Sequence, residues 1–169
     1  MILNNYFKLH PYSDWFDWLN LFLMGMDCGY YTDIKPNTAL HTDICTPLAT
    51  SPTWSEFKQT KLSIEIQNEG ILIWHRLLTI LKPRVVLMSF SKDILKRIQY
   101  IDLSDRQIFY QFDKKENGQY RKKPYLIELY STIINGYNVN FLFGEGNVRP
   151  FFLTELQRYQ LGKEVKALF

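Results

Sequence analysis

An acidic side chain set between two glycines and followed by two tyrosines, Gly25-Met26-Asp27-Cys28-Gly29-Tyr30-Tyr31, is the part of this sequence best suited to chemistry. Asp27 is therefore the leading candidate for a functional side chain. The same cluster also has a plainer reading as a turn, because Gly and Asp are favoured wherever a chain reverses. Elsewhere the inventory is thin. His10, His41 and His75 show no paired ligand spacing, although His41, Asp43 and Cys45 alternate along one stretch. Burial explains that alternation better than a metal does, and no Walker or Gly-x-Ser-x-Gly motif occurs, so neither a metal nor a cofactor is expected.

A second set of residues suits a polyanion. Lys114, Lys115, Arg121, Lys122 and Lys123 crowd around Asn117-Gly118, in a chain of 169 residues with a net charge of only +3. Aromatic residues reach 16%, enough to leave some rings exposed for stacking, although a bias of composition would give the same count.

The elements that must position these residues follow from periodicity. Ser13-Asp14 is expected to start a short helix through Trp15, Phe16, Trp18 and Leu19. The apolar run from Leu21 reads as a strand buried on both faces, delivering Asp27 at its carboxyl end, where ligands bind in open α/β sheets. Residues 39–45 alternate as a second strand, followed by a proline-punctuated loop at 46–54. A helix is expected over 67–81, with Ile71, Leu72, Trp74, Leu77, Leu78 and Leu81 on its stripe and Pro83 ending it. A buried strand at 85–90 and a helix opened by Ser91-Lys92-Asp93 come next. Strands are expected at 107–112, 125–134 and 139–143, with Asn117-Gly118 and Asn135-Gly136 as hairpin turns. A closing helix spans 154–168, its stripe drawn from Leu156, Tyr159, Leu161, Val165 and Leu168. The expected fold class is α/β, a single domain built as a three-layer α/β/α sandwich with a mainly parallel central sheet. Loops at 27–31, 46–54 and 144–150 would then converge on one sheet edge.

That order of parts resembles the uracil-DNA glycosylase superfamily. "LFLMGMDCGYY" is similar to its first motif, "LHTDICTPLATSPTW" to its second strand and loop, and "LLTILKPRVVLMSFSKDILKRI" to its helix-strand-helix middle. A weaker likeness continues at "NFLFGEGNVRPFFLTELQRYQLG". The resemblance implies hydrolysis of an N-glycosidic bond of a base in DNA or a nucleotide, with Asp27 orienting the attacking water. It puts Tyr30 or Tyr31 near the flipped base and Asp43 near the base-reading position, where the family carries Asn. The family's HPS loop has no histidine here, so Asn147, Arg149 or backbone donors would stabilise the departing base, and Val148 or Phe151 would wedge the duplex. The four-cysteine cluster of some members cannot form with two cysteines. The alternative reading is a non-catalytic module that binds nucleic acid or a nucleotide; a third is a small-molecule hydrolase or transferase on another doubly wound sheet. DNA or a nucleotide is the expected partner. No apolar run approaches the roughly 20 residues of a membrane span. With no signal-peptide order in residues 1–8, and free thiols a better reading than a Cys28–Cys45 disulfide, a cytoplasmic setting is expected.

Overall fold

Phe16, Leu19, Phe22 and Leu23 recur at helical spacing and are all buried, and that period runs straight through the expected boundary between helix and strand. In the computed structural model, which describes residues 6–9, 11–31, 38–42, 44, 61–89, 92–115, 117–144 and 153–168, one helix covers the whole stretch. After the single turn of α1 (Tyr6–Leu9), α2 (Ser13–Gly25) replaces the expected strand. An apolar run of this length satisfies either a doubly buried strand or a buried helix, and the upstream period decides for the helix. The other expected early strand is not found among the described residues either: 38–42 and 44 are not in a strand.

The remaining elements follow the sequence more closely. Helix α3 (Lys61–Leu81) begins six residues before the expected start at 67, and buries Ile66, Ile71, Trp74, His75 and Leu78 while Leu72 and Leu81 stay exposed. Strand β1 (Val85–Met88) leads to a one-turn helix, α4 (Lys92–Leu95). Three strands then form a meander: β2 (Gln107–Lys114), β3 (Tyr120–Ile134) and β4 (Tyr137–Gly144). At the second hairpin Ile134 pairs with Tyr137, and Asn135 and Gly136 have φ of 49° and 82°. Two left-handed residues in a two-residue loop match the twist of the flanking strands. Helix α5 (Glu155–Lys166) starts at a capping box, with Thr154 and Gln157 exchanging side-chain and backbone bonds. Leu161 and Val165 are buried as expected, whereas Leu156 and Tyr159 are exposed and Arg158 takes a buried place.

The sheet order is β1-β4-β3-β2, with only β1 and β4 parallel, Val85 opposite Asn140 through Met88 opposite Phe143. The mainly parallel sandwich is therefore corrected to a small mixed sheet dominated by antiparallel pairs. The reason is local: short Asn-Gly turns can join only antiparallel neighbours, and two of them already use three of the four strands found among the described residues. Ile127, Leu129 and Leu142 pack with Phe22 and Leu161, while Tyr130, Phe141 and Phe143 pack with Trp74, Leu78 and Met88. Strand β4 is buried from Val139 through Gly144.

Helices α2 and α5 cross with backbone touching backbone. A Cβ added at Gly25 would lie 2.3 Å from the Tyr159 carbonyl oxygen, and one at Gly162 would lie 2.1 Å from that of Phe22. Gly25, read from sequence as the end of a strand, is there to let the two helices meet.

Candidate nucleic-acid interface

Asp27 sits one residue past the cap of α2. Its N–H donates to the Met24 carbonyl at 3.0 Å and the Cys28 N–H to the Leu23 carbonyl at 2.8 Å. Those two bonds make a Schellman motif, with Asp27 in its left-handed position at φ 55°. The carboxylate pairs with Lys166 at the end of α5, and both side chains are about half exposed. Asp27 therefore leaves a helix, not a strand, and the predicted convergence of three loops on one sheet edge loses its first member. Residues 46–54 lie outside the described residues, and of 144–150 only Gly144 is described, at the end of β4.

The two tyrosines are bound into an aromatic cluster. Tyr30 is buried, stacked on Phe7 with centroids 5.0 Å apart and set edge-on to Phe16 at 5.0 Å. Burial pushes its phenol up to about 12. The Tyr31 hydroxyl donates to the Asp17 carboxylate, and its ring meets Phe7 edge-on. Both rings hold residues 6–9 against α2. Asp43, Asn147, Arg149 and Phe151 lie outside the described residues, as does Cys45. Cys28 is a free thiol whose Sγ donates to the Met26 carbonyl at 3.6 Å.

The basic residues come together. Strand β4 pairs with β3 only from Gly144 opposite Ile127 onward, so residues 120–126 have β2 as their strand partner among the described residues. The result is a two-stranded ribbon that carries Lys114, Lys115, Arg121, Lys122 and Lys123. Its register holds a bulge: Phe112 faces Tyr125 and Lys114 faces Tyr120, so β3 advances five residues while β2 advances two. Arg121, Lys122, Lys123 and Pro124 fall in that excess, and Pro124 has no N–H to give a ladder. A bulge redirects side chains, and Lys122 and Lys123 are exposed.

Three contacts brace the ribbon. The Gln157 side chain, already part of the α5 capping box, donates to the Lys114 carbonyl at 2.9 Å. Arg121 Nε donates to the same carbonyl at 3.3 Å, with its guanidinium 5.8 Å from the buried Tyr125 ring. In the turn, Lys115 N–H donates to the Gln119 carbonyl at 2.8 Å and Gly118 takes φ 77°. Tyr120, which the sequence reading passed over, is 73% exposed with the Lys114 ammonium 4.9 Å from its ring centroid. Its signal was its place, directly before Arg-Lys-Lys.

Asp27 and the ribbon are held at opposite ends of α5. Lys166, which holds Asp27, and Gln157, which holds the ribbon, are separated by about 14 Å of helix axis at 1.5 Å per residue. Beyond the other end of β2, about 24 Å along the strand from Lys114, lies a cleft of about 590 Å³ lined by Tyr100, Asp102, Asp105, Tyr130, Ser131 and Thr132. Near it Tyr130 donates to the buried Glu128 carboxylate at 2.7 Å, and Arg106 lies 2.8 Å from the other oxygen. Burial and the neighbouring carboxylate push the Tyr130 phenol up. Ser104 donors hold the Asp102 carboxyl below the usual carboxylate range. Asp102 and Asp105 give this cleft two acidic side chains, where the ribbon is basic. Among the described residues no group of three or more His, Cys, Asp or Glu is placed to hold a metal ion, and no helix is long and apolar enough to cross a membrane.

The chain matches no family model, no curated protein and no solved structure. The likeness to the glycosylase superfamily thus rests on the quoted motifs alone.

Proposed function

We propose that this chain is a non-catalytic nucleic-acid-binding protein that holds the phosphate backbone with its β2–β3 ribbon. One observation carries the reading: Lys122 and Lys123 are exposed on a bulge, beside Lys114 and Lys115, with Arg121 bracing its base. The segment 113–123 has five basic and two acidic residues, an excess as large as the +3 of the whole chain. A cationic projection of this kind neutralises phosphates and releases their counterions, and a two-stranded ribbon is narrow enough to follow a nucleic-acid groove. N-glycosidic hydrolysis would need a carboxylate beside a base pocket; here Asp27 is tied to Lys166 and held at the opposite end of α5 from the ribbon.

The test is fluorescence anisotropy with labelled DNA across a salt series, for wild type and the double variant Lys122→Gln/Lys123→Gln. Wild type is expected to bind at low salt with a steep negative slope of log affinity against log salt. Losing two phosphate contacts should flatten that slope by about 1.5. Binding that is absent at low salt, or indifferent to the double substitution, overturns the reading. Base release that Asp27→Asn abolishes would restore the hydrolytic one.

A further inference from the structure

The ribbon carries two tyrosines in two different states. Tyr125 is buried in the core, under Arg121. Tyr120 stands opposite Lys114 in the last register pair of the ladder, 73% exposed. Leaving a large ring in water forgoes the stabilisation that burial would bring. This one is nevertheless held in a fixed place, by its ladder partner and by a backbone that Gln157 and Arg121 anchor at Lys114. One cation lies over the ring, at 4.9 Å from its centroid, and the basic triplet follows directly in sequence.

We propose that Tyr120 is a stacking platform for an unpaired base, which makes single-stranded nucleic acid the preferred partner of the ribbon. The inference rests on the ribbon's binding nucleic acid at all. A base can lie against a ring only when its own face is free, and in a duplex those faces are covered by neighbouring pairs. The geometry divides the work: Lys122 and Lys123 hold phosphates on either kind of strand, while Tyr120 adds affinity only where a base can be splayed out. Lys114, over the ring, reinforces stacking through the ring's negative face and offers its ammonium to the same nucleotide's phosphate.

Three probes of equal length separate these contributions: a single strand, its duplex, and a single strand of abasic sites that keeps the phosphates without bases. Each is titrated with wild type, Tyr120→Ala, Tyr120→Phe and Lys122→Gln/Lys123→Gln. Wild type is expected to favour the ordinary single strand over the abasic one by about ten-fold or more. Tyr120→Ala should erase that margin while leaving duplex and abasic affinities unchanged, and Tyr120→Phe should retain it. The lysine double variant should weaken all three. Because Tyr120 is exposed, its removal should not disturb folding, and an unchanged melting temperature checks this. Should Tyr120→Ala leave single-strand affinity intact while the lysine variant weakens it, stacking is overturned and the ribbon reading survives. Equal loss on all three probes also overturns stacking. If wild type binds none of them at low salt, both proposals fall together.

Discussion

Asp27 adopts φ 55° at the first residue beyond the C-cap of α2, a conformation that costs a residue with a Cβ about 1 kcal/mol. Its ion pair with Lys166 is half exposed, and such pairs contribute about 0–1 kcal/mol. Strain and pairing therefore nearly cancel. Asp27→Gly is expected to change unfolding free energy in urea by less than about 1 kcal/mol, whereas Asp27→Val, β-branched at positive φ, should cost about 2 kcal/mol. A large loss in the glycine variant would contradict the cap geometry. The sequence showed the right residue types here but not their setting, since Gly, Asp and Gly after an apolar run suit a helix C-terminus as well as a strand end.

His75 gives a second prediction at the same scale. It lies on the buried face of α3 against Tyr100, ring centroids 4.8 Å apart, and neither ring nitrogen has a hydrogen-bond partner among the described residues. Desolvation lowers its pKa below the ordinary 6.5. The unfolded chain thus takes up a proton near pH 6.5 that the folded chain refuses until a lower pH. Between those two values the unfolded state binds more protons, so stability falls as pH falls. Melting temperatures of wild type should drop from pH 7 toward 5, and His75→Leu should show a shallower drop over that window. Parallel curves would remove His75 from the account.

Among the elements, those with local signals were the legible ones. Both Asn-Gly pairs lie between paired strands, and the capping box before α5 matches its sequence pattern, because each depends on residues a few positions apart. The start of α2 at Ser13 was legible, but its second half was read as a strand because the helical period had to be followed across an apparent break at Leu19–Leu21. The contact between α2 and α5 had no sequence signal beyond Gly25 and Gly162 themselves. Substituting either should reveal it: an added methyl meets a carbonyl oxygen of the facing helix, and the helices must separate. Gly25→Ala and Gly162→Ala are each expected to cost more than about 2 kcal/mol in denaturant unfolding, against the small gain of alanine in an ordinary helix interior. A neutral alanine at either position would mean that the helices do not touch there.

For the whole molecule, strand order was the illegible part. Whether β1 joins β4 or a further parallel strand depends on long-range packing, and a parallel sheet needed the two early strands that the described residues do not form. The basic ribbon was half legible: its charges stood out in sequence, but the bulge that gathers Arg121, Lys122 and Lys123 comes from a register between distant residues. The layout also sets a gradient of local stability. Within the sheet, amide hydrogen exchange should be slowest in β4, buried along its inner residues, and faster where β2 and residues 120–126 pair without a third strand among the described residues. Protection in the ribbon equal to that of β4 would indicate a further partner covering it.

The crossing of α2 and α5 bears on how the chain is made. The two helices meet at Gly25 and Gly162, yet about 130 residues separate the end of one from the start of the other. During synthesis α2 emerges from the ribosome long before its partner exists, with its face at Phe22 and Gly25 uncovered. Nascent chains stalled before residue 155 should therefore recruit chaperones through this helix, and release them once Leu161 and Val165 have been added.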